Sequence, residues 1–218
     1  MASAVGPDYR NPRRQLVEAL QAKGISDLAV LRAVELTPRH LFMPSGFRLR
    51  AYEDTAIPVG NGQTISQPSV HARYLQLMQF TGKERVLEVG TGTGYQTVLL
   101  SHLASQVFSI ERVAPLLEQA RALIKDCGAS NVSLLLGDGT IGWRQYGPYD
   151  AILVSAASPA VPQPLVDQLA DGGRLLVPVG DRAEQVLVMI TKGAGGTLER
   201  RDIGPVRFVP LLGTHGFS

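Results

Sequence analysis

The segment Val86-Leu87-Glu88-Val89-Gly90-Thr91-Gly92-Thr93-Gly94-Tyr95 leads from an apolar run, through three alternating glycines, into a helical pattern carrying Val98, Leu99 and Leu100. Glycines let a backbone turn sharply and approach a ligand closely, and a helix N-terminus presents free N–H groups to it. Read alone, the turn fits either a ligand loop or a tight strand-to-helix connection. Glu111 lies 21 positions beyond Gly90, at the end of the next apolar run. An acidic residue at about that spacing can accept hydrogen bonds from both hydroxyls of a nucleoside ribose. A third apolar run ends in Gly137-Asp138-Gly139. An ionised Asp138 only accepts hydrogen bonds, which suits an adenine amino group; a simple turn aspartate is the competing explanation. Together these signals predict one adenosine site using Glu88, Gly90, Thr91, Gly92, Thr93, Gly94, Glu111, Asp138 and Gly139.

The cofactor class follows by comparison. Tyr95 stands where a dinucleotide loop needs its third glycine. Glu88 places negative charge where a pyrophosphate would be repelled, whereas a sulfonium with an amino-acid tail tolerates it. The chain has no Tyr-x-x-x-Lys pair for hydride transfer, and the glycine loop lacks the terminal Lys-Ser/Thr of a phosphate-binding P-loop. The expected cofactor is S-adenosyl-L-methionine, leaving S-adenosyl-L-homocysteine as product.

The elements that must position these residues are legible from apolar periodicity. Strands are predicted at Arg85–Val89, Val107–Glu111, Val132–Leu136, Ala151–Ser155, Arg174–Val179 and Gln185–Thr191, with a clear helix over Val113–Asp126. Strands alternating with helices predict an α/β fold: a doubly wound, mostly parallel, Rossmann-like sheet. The last strands follow with little helix between them, which suggests an antiparallel hairpin at one edge involving Val206–Leu211. Upstream, residues 1–11 are expected to fray, a helix fits Pro12–Lys23, and Ser26 is placed to cap a second helix ending near Pro38. Phe42–Gln67 reads as an ordered loop region, and Ser66 as the cap of a helix reaching Phe80. Residues 1–80 thus form a helical and loop extension packed on a cofactor-binding domain of residues 81–218, the two making one structural unit.

Bulk composition excludes other classes. The 218 residues are 44% hydrophobic and 18% charged, with a net charge of +2, as in an ordinary globular protein. No apolar stretch approaches the roughly 20 residues that span a bilayer, and no basic start followed by an apolar block marks a secretory signal. The single cysteine, Cys127, excludes an internal disulfide and any multi-cysteine metal site, and no metal is expected. A cytoplasmic protein is the expectation. The first fifty residues lean basic, too mildly to identify a nucleic-acid partner.

Beyond the glycine motif shared by class I methyltransferases, several segments resemble one family. Gly60-Asn61-Gly62-Gln63-Thr64-Ile65-Ser66-Gln67-Pro68 resembles the signature loop of the protein-L-isoaspartate O-methyltransferases. Gly137-Asp138-Gly139-Thr140, Gly172–Gly180 and the terminal Val206-Arg207-Phe208-Val209-Pro210-Leu211 are similar to the same family, so the resemblance runs from about residue 12 to 211. It implies methylation of the free α-carboxylate of L-isoaspartyl residues in damaged proteins and peptides. By position, Ser66 matches the catalytic serine, Thr64, Ile65, Val209 and Pro210 match substrate-enclosing residues, and a monomer is implied.

The chemistry suits the residues. A carboxylate has a reference pKa near 4 and is already a nucleophile at neutral pH, so no general base is required. Ser66 can orient one carboxylate oxygen, or it can merely cap the following helix. His71, one turn further on, can approach the cofactor or simply pack. Methyltransferases of nucleic-acid amino groups carry an Asn/Asp-Pro-Pro-aromatic tetrapeptide where this chain has Ser155-Ala156-Ala157-Ser158. The rival readings are a class I methyltransferase for another acceptor and a catalytically silent cofactor-binding protein.

Overall fold

The structure, a computed structural model, describes residues 8–60 and 62–218. The expectation for residues 1–7, and Asn61 within the signature loop, lie outside the described residues. Two helices open the chain, α1 (Arg10–Ala22) and α2 (Leu28–Leu36). The first begins two residues before the predicted start because the Asp8 carboxylate accepts from the Arg10 backbone N–H and guanidinium. Gly24, at φ +89°, ends it. Asp27, and not Ser26, caps α2, its Oδ1 accepting from the Ala29 and Val30 N–H groups. The backbone N–H groups of Ser26 and Asp27 both donate to Gln76 Oε1, at 2.7 and 2.9 Å.

The predicted loop region holds more order than its glycines and prolines suggest. Two 3₁₀ turns, Arg39–Phe42 and Ser45–Arg50, lead to a short hairpin, β1 (Ile57–Gly60) with β2 (Gln63–Ile65). Helix α3 spans Pro68–Leu77, stopping before the predicted Phe80, because Gln79 takes φ +49°. Its buried face is His71, Tyr74, Leu75 and Met78.

The remaining chain builds a seven-stranded sheet in the order β5-β4-β3-β6-β7-β8-β9. Its strands are β3 (Arg85–Val89), β4 (Gln106–Glu111), β5 (Val132–Leu136), β6 (Tyr149–Val154), β7 (Leu169–Gly180), β8 (Gln185–Lys192) and β9 (Leu198–Val206). The first five in chain order run parallel, while β8 is antiparallel to both neighbours. Helices α4 (Tyr95–Leu103), α5 (Ala114–Asp126) and α6 (Gln163–Asp167) complete the connections. The edge strand is Leu198–Val206, not the predicted Val206–Leu211. Its exposed Glu199, Arg200, Arg201 and Asp202 hide it from an apolar search, and an edge tolerates Pro205.

Alternate residues of each central strand feed opposite layers, as the two-residue period requires. Val86, Val107, Leu153 and Leu176 face a core shared with α1 to α5; Leu87, Phe108, Ile152 and Leu175 face the layer holding α6 and Trp143. The N-terminal helices therefore bury their apolar faces in the same core as the sheet, with Leu16, Leu20 and Leu31 beside Leu99 and Leu187. A shared core predicts joint unfolding. Leu31→Ala should cost about 2–5 kcal/mol of global stability. Far- and near-ultraviolet dichroism should still report one coincident denaturant transition; a separate early transition would show that the extension is an independent unit.

Candidate cofactor and substrate site

A cavity of about 360 Å³ opens at the C-terminal ends of β3, β4, β5 and β6. This is the switch point of the sheet, since the chain leaves β3 toward β4 on one side and reaches β6 on the other. The glycine turn forms its floor. Gly90, at φ +97°, and Thr91 both donate through their backbone N–H groups to the Ile110 carbonyl. The Gly92 N–H donates to Glu111 Oε2 at 2.9 Å, while Glu111 Oε1 accepts from the Arg112 and Val113 N–H groups. Glu111 thereby ties the turn to the end of β4 and keeps acceptor capacity mainly on Oε2.

Of the predicted cofactor residues, Gly90, Thr91, Gly92, Thr93, Glu111 and Gly139 line the cavity; Glu88, Gly94 and Asp138 do not. Gly94 caps α4 at φ +88°, where an added Cβ would meet Ile124 at 3.1 Å; its smallness serves helix packing. Glu88 is fully buried beneath the turn and accepts from Gln96, Thr97 and Ser109. Burial pushes its carboxyl up to about 7, although those three hydrogen bonds oppose the shift. Asp138 accepts from the Thr140 N–H and hydroxyl on one oxygen, and from the Thr214 N–H and hydroxyl on the other. Burial alone would raise its pKa, but these bonds outweigh it and hold the carboxyl at about 2. Two of the four bonds brace its own loop through Thr140, and two pin the C-terminal segment through Thr214.

The predicted substrate residues Thr64, Ile65, Ser66, Val209 and Pro210 all line the same cavity. The hairpin brings the first three over the glycine turn. Residues 208–211 reach the opposite rim by leaving the sheet and crossing the end of β6: Ala157 donates to the Val209 carbonyl and Leu211 donates to the Ala157 carbonyl. Stacking of Phe208 on Tyr74, ring centroids 5.5 Å apart, anchors that crossing.

Ser66 is not a helix cap. Gln67 occupies the cap position and Pro68 has no N–H to satisfy. The Ser69 N–H is taken by Asp54, a residue of the preceding loop, at 2.7 Å. The Ser66 hydroxyl therefore has no hydrogen bond to another described residue and stands free at the cavity.

His71, a candidate from its spacing, lines the cavity together with residues that carry no sequence signal for it, Gln96 foremost. Gln96 donates to Glu88 and Ser155 through Nε2, which leaves its Oε1 to accept from His71 Nδ1 at 2.8 Å. His71 is buried and lines the cavity; desolvation and the nearby Arg39 charge lower its pKa to about 4. With Nδ1 donating, the neutral ring presents Nε2 as a bare acceptor, and this atom has no partner among the described residues. Tyr95, Ser155 and Ala156 also line the cavity. The spacing from Ser66 marks His71 as a candidate in the sequence, whereas its contact with α4 through Gln96 appears only in the structure. Among the described residues no group of three or more His, Cys, Asp or Glu side chains gathers to hold a metal ion.

A switch-point cavity floored by a glycine turn, on a parallel sheet with one reversed strand, is the arrangement of a class I methyltransferase. The family model of protein-L-isoaspartate(D-aspartate) O-methyltransferase matches residues 11–216, and the chain belongs to that family. A Dictyoglomus thermophilum protein-L-isoaspartate O-methyltransferase is 46% identical over 97% of this chain and 96% of its own length. The protein of the same name from Xanthomonas oryzae pv. oryzae is 50% identical over 95% and 92%. Among solved structures, a protein-L-isoaspartate O-methyltransferase superposes with a TM-score of 0.84 at 29% identity, covering 94% of this chain and 67% of that one. A putative Plasmodium falciparum homologue in complex with S-adenosyl-L-homocysteine gives 0.79 at 27% identity, over 92% and 98%.

Glu88 yields a pH test. Its folded-state pKa, about 7, lies above the ordinary 4.5, so between those values the native state holds a proton that the unfolded chain has lost. Stability must fall as pH rises through that window and level off above it. Glu88→Gln should flatten the dependence of the denaturant midpoint between about pH 5 and pH 8; an unchanged slope would place the titration elsewhere.

Proposed function

We propose that this chain is a protein-repair methyltransferase that uses S-adenosyl-L-methionine to methylate the free α-carboxylate of L-isoaspartyl residues in damaged proteins and peptides. The ester so formed closes to a succinimide as a backbone amide nitrogen displaces methanol, and hydrolysis of that ring can regain the normal aspartyl backbone. The observation that carries the reading is the Ser66 hydroxyl at the cavity, without a hydrogen-bond partner among the described residues, between the glycine turn and the Val209–Pro210 rim.

The lining fits the cofactor chemically. Glu111 retains an acceptor for ribose hydroxyls, His71 Nε2 offers a buried acceptor for an ammonium N–H, and Gly92 leaves open space where a Cβ would stand. When bound, the cofactor supplies a methyl group on a sulfonium, an electrophile that a carboxylate attacks in line. Ser66 donates a hydrogen bond to the substrate carboxylate and turns one oxygen toward that methyl. No residue here needs to remove a proton, and neutral His71 is consistent with that. Positioning of this kind is worth up to about 7–11 kcal/mol of the barrier. Val209, Pro210 and Ile65 close the apolar sides, and exclusion of water favours a step in which opposite charges cancel.

Glu88, Gly94 and Asp138 support the site from outside it, as buried bracing, packing and tail anchor. The first eighty residues supply the substrate side and form one unit with residues 81–218. We read the protein as a cytoplasmic monomer acting on peptides and not on nucleic acid or membranes. Its single cysteine and the non-aromatic Ser155–Ser158 segment support this. Among the described residues, no helix is long and apolar enough to cross a membrane.

Ser66→Ala should lower kcat/KM for an isoaspartyl peptide by about 10²–10³-fold, the usual loss of one oriented donor. Binding of S-adenosyl-L-homocysteine by calorimetry should stay within about threefold of wild type. Full turnover in the variant would remove Ser66 from the reaction.

A further inference from the structure

Arg39 is fully buried, and among the described residues no other lysine or arginine is. None of the ion pairs among those residues includes it. Its Nε donates to the Ala51 carbonyl and its Nη2 to the Ser66 carbonyl, both at 2.9 Å, while Nη1 has no partner among the described residues. The guanidinium carbon lies 4.9 Å from the Tyr95 ring centroid, and Tyr95 is the first residue of α4 and part of the cavity wall. One rigid planar group thus touches the N-terminal extension, the residue carrying the free hydroxyl, and the helix that leaves the glycine turn.

A buried charge without an ion pair is costly, and an apolar side chain of similar volume would fill the space more cheaply. What an apolar residue cannot do is fix two carbonyl groups in a set geometry, which is what the guanidinium fork is suited to. We propose that Arg39 is the positioning residue of the substrate site: by holding the Ser66 backbone against Ala51 and Tyr95, it sets the direction of the Ser66 hydroxyl relative to the cofactor loop. The proposal rests on the reading of Ser66 as the substrate contact. Among the described residues the Ser66 side chain has no hydrogen-bond partner, and the α3 terminus is satisfied by Pro68 and Asp54. Arg39 acts on the substrate only through that backbone.

The test is a double-mutant cycle on the full chain, measuring kcat and KM for an isoaspartyl peptide and the Kd of S-adenosyl-L-homocysteine. Arg39→Met should lower kcat/KM for the peptide at least tenfold while the Kd stays within about threefold of wild type, and Arg39→Lys should recover part of the loss. In a Ser66→Ala background the same Arg39→Met change should cost less than about threefold, because the group it orients is gone. Equal losses in both backgrounds, or a Kd that worsens in step with kcat/KM, would overturn the proposal. If Arg39→Met does not fold, Arg39→Lys carries the same cycle. Impaired Ser66→Ala with unaffected Arg39 variants would refute Arg39 alone; wild-type kinetics in Ser66→Ala would refute the Ser66 reading and the proposal with it.

Discussion

The site depends on one topological constraint. Strand β3 lies between β4 and β6, and the loops that follow these parallel strands must diverge, leaving a crevice above their C-terminal ends. Packing cannot close that crevice, so the chain lines it. The glycine turn lies along its floor, braced by Glu111, and the hairpin and residues 208–211 form its two rims. The antiparallel edge β7-β8-β9 matters here because it delivers the chain back to the end of β6, where Ala157 holds the tail by two backbone hydrogen bonds.

Around this crevice three ionisable groups stand behind the walls, while Glu111, Arg112 and His71 line it. Glu88 sits under the turn with three donors, Arg39 sits behind the hairpin with two carbonyls, and Asp138 ties down the tail with two of the four hydrogen bonds it accepts. Arg39 and Asp138 fix backbone segments and Glu88 ties together the Gln96, Thr97 and Ser109 side chains, while Ser66, Gly92, His71 and Glu111 face the cavity. Such an interior suits a reaction whose reactants already carry the charges it needs. Orientation and exclusion of water, and not proton transfer, are what the protein has to supply.

The sheet was readable because buried parallel strands carry continuous apolar runs, and all six predicted strands are present with ends shifted by a few residues. The seventh, β9, is polar and mostly exposed and carries no such signal. A helix start is ambiguous where two capping residues adjoin: Ser26 and Asp27 are equally plausible in sequence, and in the structure it is the Asp27 carboxylate that accepts from Ala29 and Val30. Ser66 shows the same limit more sharply. Its freedom from capping is set by Asp54, a residue that no local pattern connects to α3. Likewise Arg39 is one of several basic residues in the first fifty, and only tertiary packing reveals that it is buried and points at Ser66. The chemical class was legible because glycine and acidic residues at strand ends act locally; their exact duties, as with Glu88, Gly94 and Asp138, depend on side chains from elsewhere.

The most direct measurement is methyl transfer from labelled S-adenosyl-L-methionine to one synthetic peptide made in two forms, L-isoaspartyl and L-aspartyl. The account predicts base-labile labelling of the isoaspartyl form alone, since only there does a free α-carboxylate extend from the damaged linkage to meet Ser66. Equal labelling of both forms, or binding of the cofactor with neither form labelled, would contradict it.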